Sequence, residues 1–359
     1  MIKGAEKGRI AVAMSGGVDS SVAAALLCRA GYRVFGVTLC FSLPERLDGK
    51  TSCCGATAIQ DAKNVCGILG IPHYVLEFGK ILEKMVIEDF CREYAAGRTP
   101  NPCILCNERV KFDALLKNVL AAGADYLATG HYARLDSIGN SILRKAVDGK
   151  KDQSYFLYRL TPDRMKYLIF PLGTIRKVEV RRLAKEFGLP VAGKRESQDI
   201  CFLSSDGYRK FIQSRYPGAC TPGPVTDDRG NVLGTHPGIA FFTVGQRRGL
   251  GISTGRPYYV REIRPAENRI IAGPRECLQS REFIAEDTVF HEELPGSALT
   301  CKVKVRHKHP PAEAEACFDG KNLRVIFRKA QFAITPGQSA VLYQGDRVLG
   351  GGVISSVVR

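Results

Sequence analysis

Long hydrophobic runs are absent: nowhere in the 359 residues does an apolar stretch approach the ~20 needed to span a bilayer. The opening MIKGAEKGRI lacks the apolar core of a secretory signal. A cytoplasmic protein with no membrane partner is therefore expected. Internal repeats and low-complexity segments are missing too. Acidic residues run short: 36 Asp and Glu face 52 Lys and Arg, a net charge of +16. Such an excess suits a polyanionic partner. It forms no basic tail but is spread through runs such as Arg176–Arg182, Gln246-Arg247-Arg248 and Lys302–His309, so a broad surface field and a nucleic-acid partner are expected. Thirteen cysteines in a chain this long do not suggest a disulfide scaffold, and most should pack as small buried hydrophobes. Apolar content of 45% and charged content of 25% are those of a globular protein, here of two or three domains.

The chain also lacks a G-x-x-x-x-G-K-[ST] phosphate loop and a G-x-G-x-x-G turn. In their place stands Arg9–Ser20, RIAVAMSGGVDS, followed by a helical Ser21–Ala30 with Gly31 as its stop. An apolar strand, a Gly-Gly turn and a helix N-terminus build an anion site, because glycine lets backbone approach the ligand and unpaired N–H groups favour phosphate. Ser15, Ser20 and Ser21 add hydroxyl donors, and Asp19 is placed to hold Mg²⁺ against a pyrophosphate. The run resembles the SGGxDS loop of the PP-loop ATP pyrophosphatases. That resemblance implies cleavage of ATP between the α and β phosphates and transfer of AMP to a substrate oxygen.

Strands and helices alternate through the first part: Arg33–Leu39 (strand), Thr57–Leu69 (helix), Ile71–Leu76 (strand), Lys80–Ala96 and Val110–Ala122 (helices), then Asp125–Thr129 (strand). This spacing predicts an α/β doubly wound parallel sheet, with ligands at the carboxyl ends of its strands. Thr174 should cap a helix over Thr174–Phe187, and a shorter helix is expected over Asp206–Arg215. From Tyr216 onward Gly and Pro crowd in, a hairpin is expected over Val225–Gly234, and alternating segments from Glu282 predict a small closed antiparallel β-barrel. The expected domains are a catalytic domain over 1–215, a small adaptor over 216–280 and a barrel over 281–359.

Two cysteine contexts look chemical. Gly97–Phe112, GRTPNPCILCNERVKF, carries Cys103 and Cys106 at a turn-rich helix entry with Arg98, Arg109 and Lys111 nearby, and ESQDICFL carries Cys201. Near a helix N-terminus and cations, such thiols should have lowered pKa values. Zinc would want a second paired motif, which the adjacent Cys53-Cys54 do not supply. A thioredoxin-like pair would normally open the helix after a first strand. Sulfur chemistry at a nucleotide-activated carbon is a third reading, which needs one cysteine to carry a persulfide and another to activate or resolve it, and simple packing of Cys103 and Cys106 is a fourth.

SGGVDS, GRTPNPxxxCNxxVKF, ATGHYAR, KDQSYFLY, SQDICF and GQRRGLGI occur in this order from about residue 9 to the C-terminus. Together they resemble the bacterial tRNA-specific 2-thiouridylase (MnmA) family. The resemblance implies ATP contacts from Ala13, Met14, Ser15, Gly16, Gly17, Val18, Asp19, Ser20, Leu39 and Gly130. It implies Cys201 as persulfide carrier, Cys106 as the second catalytic cysteine, and Asn101, Pro102 and Cys103 at the target base. His131, Lys151, Asp152, Gln153, Arg306, His307 and Gln338 would touch tRNA. Partners implied are tRNAs for Lys, Glu and Gln and an upstream persulfide donor protein. Many relatives carry Asp where this chain has Cys103. Cys103, Cys106 and Cys201 therefore make a three-thiolate set that could ligate an iron–sulfur cluster, an alternative way to hold the sulfide. More remote readings are an amide-forming PP-loop ligase and a non-catalytic tRNA-binding module.

Overall fold

The computed structural model describes residues 8–41, 55–136, 142–195, 200–203, 207–253, 255–293 and 298–358. Contacts divide the chain into two compact units, one of residues 1–85, 103–201 and 346–348, the other of 86–102, 202–345 and 349–359.

In the first unit, strand β1 (Arg9–Ala13) buries Ile10, Ala11 and Val12 completely, as expected for a strand covered on both faces. Beside it run β2 (Arg33–Cys40), β3 (His73–Glu77) and β4 (Tyr126–Thr129); a hairpin of β5 (Ala133–Leu135) and β6 (Leu143–Lys145) precedes β7 (Leu168–Ile169). All pairings in the sheet are parallel and its order is β3-β2-β1-β4-β7. The order reverses between β1 and β4, so the crevice for a ligand opens at their carboxyl ends. Helix α1 (Val18–Arg29) packs Val22, Ala23 and Ala24 into the core, and α2 (Ala56–Ile68) adds Ala62, Val65 and Cys66.

Some helix boundaries differ from expectation. Helix α1 starts at Val18 instead of Ser21, which puts Asp19 and Ser20 in its first turn. The segment expected as one helix over Lys80–Ala96 is α-helical at Gly79–Leu82 and Glu88–Ala95, with a wider π turn over Glu83–Ile87 between them. The helix expected from Val110 begins at Pro102 and is π-helical over Cys106–Leu115, a widening that in general clusters at functional sites. Thr174 caps nothing. That helix spans Lys177–Glu186 after Arg176, and the Asp148 carboxylate accepts the Lys177 N–H at 3.0 Å. The cap comes from 29 residues upstream, out of reach of any local pattern.

In the second unit, β8 (Gly223–Thr226), β9 (Val232–His236), β10 (Tyr259–Arg264) and β11 (Arg269–Gly273) form a sheet in the order β10-β11-β8-β9. Val225, Phe242, Val260 and Ile270 are its fully buried core. Six strands follow: β12 (Gln279–Phe290), β13 (Leu299–Lys304), β14 (Ala312–Phe318), β15 (Leu323–Phe332), β16 (Ser339–Gln344) and β17 (Arg347–Val358). They close as an antiparallel barrel through β12–β17 pairing, and alternate residues such as Leu323, Val325 and Phe327 fill it.

Candidate active site

The turn after β1 is fixed by contacts that leave its donors exposed. Gly16 has φ 66°, and a Cβ there would meet the Ala58 carbonyl oxygen at 2.2 Å, so no other residue fits. Gly17 is the N-cap of α1 and makes no side-chain cap, so the first N–H groups of the helix face the crevice without a side-chain acceptor. The Ser20 hydroxyl accepts the Ser15 N–H at 3.2 Å and holds the turn. Leu39 is the penultimate residue of β2, and a Cβ on Gly130 would sit 2.7 Å from the Asp19–Ser20 peptide. The expected nucleotide residues thus surround one strand-to-helix turn.

Asp19 is held by residues that local sequence did not single out. Lys177 Nζ donates to both its carboxylate oxygens, at 2.7 and 2.8 Å, and the Tyr132 hydroxyl donates to Oδ1 at 2.8 Å. The Lys177 side chain is 9% exposed against 31% for Asp19. Lys177 therefore leaves the surface field in which the Arg176–Arg182 run had placed it. One signal was available: a lysine at a first helical position opposes the helix dipole and asks for an outside carboxylate. Lys194 braces the same turn, donating to the Gly16 carbonyl at 2.9 Å and to Asp61 at 2.6 Å.

Cys103, Cys106 and Cys201 all lie in the first unit. Cys106 is buried, while Cys103 and Cys201 reach the surface. Their thiols are near enough for charge on Cys106 and Cys103 to act on Cys201, and Lys111 acts on all three. Lys111 itself donates to Asn107 at 3.0 Å, and Asn107 donates to the Phe156 carbonyl at 3.1 Å.

The expected acidity is reversed. Burial is the largest influence at each thiol and raises Cys103 and Cys106, outweighing the lowering by Lys111. Burial and the neighbouring Cys106 push Cys201 up to about 12. At neutral pH these thiols are protonated, so one lysine at a helix start does not make thiolates where desolvation of the sulfur outweighs it. Iodoacetamide reacts with thiolate, so its reaction with Cys201 should be far slower at pH 8 than with free cysteine. The rate should rise about tenfold per pH unit to beyond pH 10. A plateau near pH 8 would contradict the assignment.

The cluster alternative loses its donor set. Among the described residues no group of three or more His, Cys, Asp or Glu stands where it could hold a metal ion. Cys53 and Cys54, like Ser197, Gln198 and Asp199 of the Cys201 motif, lie outside the described residues.

The residues expected at tRNA divide by environment. His131 packs its ring 5.7 Å from Phe112 and 6.0 Å from Phe170, and burial with Lys111 lowers its pKa well below the usual value, so it is neutral. Asp152 is turned inward: its carboxylate accepts from the Ala146 and Ser154 N–H groups and the Ser154 hydroxyl. Gln153 and Tyr132 clamp each other, Gln153 N–H to the Tyr132 carbonyl at 2.8 Å and Tyr132 N–H to Gln153 Oε1 at 2.9 Å. Tyr132 thereby ties Gln153 to Asp19 of the nucleotide turn. In the second unit, Arg306 and His307 lie in the turn after β13. There too, Gln338 donates to the Thr99 carbonyl at 2.9 Å and supports the segment that leads into Asn101 and Pro102.

Three families match the chain in succession: a tRNA methyl transferase HUP domain over residues 8–205, a tRNA methyl transferase PRC-barrel domain over 209–274 and an aminomethyltransferase beta-barrel domain over 280–354. The chain is 48% identical to the tRNA-specific 2-thiouridylase MnmA of Moorella thermoacetica over 97% of its own length and 99% of that protein's. It is 47% identical to the protein of the same name from Desulforamulus reducens, over 98% of each. Among solved structures, the U34-tRNA thiolase NcsA from Methanococcus maripaludis with its [4Fe-4S] cluster is 19% identical, with a TM-score of 0.35 over 60% of this chain and 67% of that one.

Proposed function

The chain belongs to the tRNA-specific 2-thiouridylase (MnmA) family, and from that premise we propose that it replaces the C2 oxygen of the wobble uridine in a tRNA anticodon by sulfur, splitting ATP to AMP and pyrophosphate. One observation carries the reading: Cys106 and Cys201 lie within electrostatic reach of each other in the same unit as the SGGVDS turn. Methyl transfer, which two of the matched family names suggest, would give that cysteine pair no task.

The uridine C2 oxygen attacks the α phosphate of ATP and pyrophosphate leaves, turning a poor leaving group into AMP. Ala13–Ser20, Leu39 and Gly130 would bind the nucleotide, the helix N–H groups and Lys177 facing its charge. Mg²⁺ would neutralise the pyrophosphate; Asp19 suits it as a partly exposed carboxylate, provided Lys177 passes from Asp19 to the phosphates. The outer sulfur of a Cys201 persulfide then attacks C2 and AMP departs. Attack by the Cys106 thiol on the Cys201 sulfur breaks the S–S bond to the substrate, leaves the thiocarbonyl on the base and forms a Cys106–Cys201 disulfide, which an external thiol reduces. Alternatively Cys106 attacks the persulfide first and liberates sulfide as the nucleophile.

Asn101, Pro102 and Cys103 would receive the flipped base. His131, Lys151, Gln153, Arg306 and His307 would meet the tRNA, with Asp152 and Gln338 shaping the segments that do so. Substrates would be tRNAs for Lys, Glu and Gln, and a separate persulfide protein would load Cys201. The division near residues 215 and 280 into catalytic, adaptor and barrel parts belongs to the same reading, supported by the successive family matches.

AMP should appear once for each 2-thiouridine formed, and only when tRNA is present. Release of ADP and phosphate instead would contradict the adenylation step.

A further inference from the structure

Described residues between 247 and 258, which the reaction above does not use, line an open pocket of about 450 Å³ in the second unit. Arg247, Arg256 and the Tyr258 ring line it, and among its lining residues there is no carboxylate and no thiol. The Arg256 guanidinium carbon lies 5.6 Å from the Tyr258 ring centroid and its Nη2 donates to the Tyr258 hydroxyl at 3.5 Å, which sets a cation beside an aromatic ring. Glu276 acts on Arg256 from outside the lining.

Gly249, Gly251 and Gly255 have φ of 82°, 67° and 66°, a left-handed backbone that brings main chain to the cavity wall without side chains. A Cβ on Gly249 would stand 3.3 Å from the Arg209 guanidinium, so a third cation borders the rim. The wall is anchored. Leu250 is 3% exposed in the core with Val225 and Ile270, and Gln246 bridges the Thr243 N–H and the Arg248 carbonyl at 3.2 and 2.9 Å. The volume lies within the ~300–1,000 Å³ of small-ligand sites, which accommodates one nucleotide. Guanidinium groups beside an aromatic ring suit a phosphate and a base better than they suit a protein surface.

We propose that this cavity binds one nucleotide of the tRNA strand other than the uridine that is thiolated, with the phosphate on Arg247 and Arg256 and the base against Tyr258. The inference rests on the tRNA reading and adds to it a recognition subsite remote in sequence from the cysteines.

The full-length Arg247→Glu/Arg256→Glu double variant tests it by fluorescence anisotropy with a substrate tRNA across salt concentrations. Both side chains are exposed, and unchanged ATP binding by the variant verifies its fold. Binding should weaken at least tenfold, and the slope of log K against log salt should shrink by about 0.7 to 0.9, the loss of one neutralised phosphate. Tyr258→Leu should weaken binding about tenfold and leave the slope unchanged. An unchanged double variant beside a Lys151→Glu variant that binds more weakly overturns this subsite and leaves the tRNA reading standing. Failure of the unaltered protein to bind tRNA overturns both. If the double variant loses binding of AMP or inorganic phosphate but keeps that of tRNA, the cavity is a mononucleotide or anion site and the proposal fails.

Discussion

Replacing Cys201 by serine is expected to abolish 2-thiouridine formation, by at least about a thousandfold, while ATP binding and tRNA binding persist. A serine hydroxyl cannot carry a transferable sulfur, so no other group takes over the role. Cys106→Ser should also stop turnover but for a different reason. Incubated with a persulfide donor, that variant should still gain one sulfur at Cys201, seen by mass spectrometry of the intact protein, whereas Cys201→Ser should gain none at that site. The pair separates carrier from resolving group. Thiolation that survives in Cys201→Ser would remove the persulfide assignment. Equal loss of sulfur loading in both variants would show that Cys106 acts before the carrier is charged.

The parts legible in the sequence are contiguous ones. SGGVDS reads as a nucleotide turn because strand, glycines, acid and hydroxyl follow one another within twelve residues, Arg9 to Ser20. The barrel reads from alternation alone, since Leu323, Val325 and Phe327 point inward while their neighbours do not. What was not legible is long-range. Lys177 reaches Asp19 across 158 residues, and its run looked like solvent-facing charge. The thiol pKa values were misjudged because a local pattern shows the helix start and the lysine but not the packed atoms that dominate. The resemblance places Asp152 and Gln338 at tRNA, yet both make hydrogen bonds within the protein that only the folded chain reveals. Pro102 begins a helix whose polar residues Asn107, Glu108 and Arg109 hid the apolar period, so the helix was expected to start eight residues late, at Val110.

Asp19→Asn should cost stability as well as activity. Lys177 is the more buried partner, so removing the carboxylate leaves a buried ammonium with weakened compensation, a loss of about 3 kcal/mol by the usual cost of breaking such a pair. Lys177→Met leaves the partly exposed carboxylate with its Tyr132 hydrogen bond and should destabilise less. In both variants adenylation should fall by about a hundredfold or more, since under the proposed mechanism one would lose the carboxylate for Mg²⁺ and the other a cation for the phosphates. Denaturant unfolding read beside AMP release separates the two effects. If Lys177→Met were the less stable variant, or if it retained full AMP release, the exchange of Lys177 from carboxylate to phosphate would be wrong. Tyr132→Phe makes an intermediate case. It removes the hydroxyl that ties Gln153 to Asp19 but no charge, so it should alter the dependence on tRNA more than the affinity for ATP.

The most direct measurement is nucleoside mass analysis of tRNA after incubation with the purified chain, ATP, Mg²⁺ and a persulfide donor. The account predicts 2-thiouridine at the wobble position of tRNAs for Lys, Glu or Gln, formed only with ATP and only with Cys201 intact. Uridine left unmodified in every tRNA tested, with the protein folded and ATP bound, would contradict it.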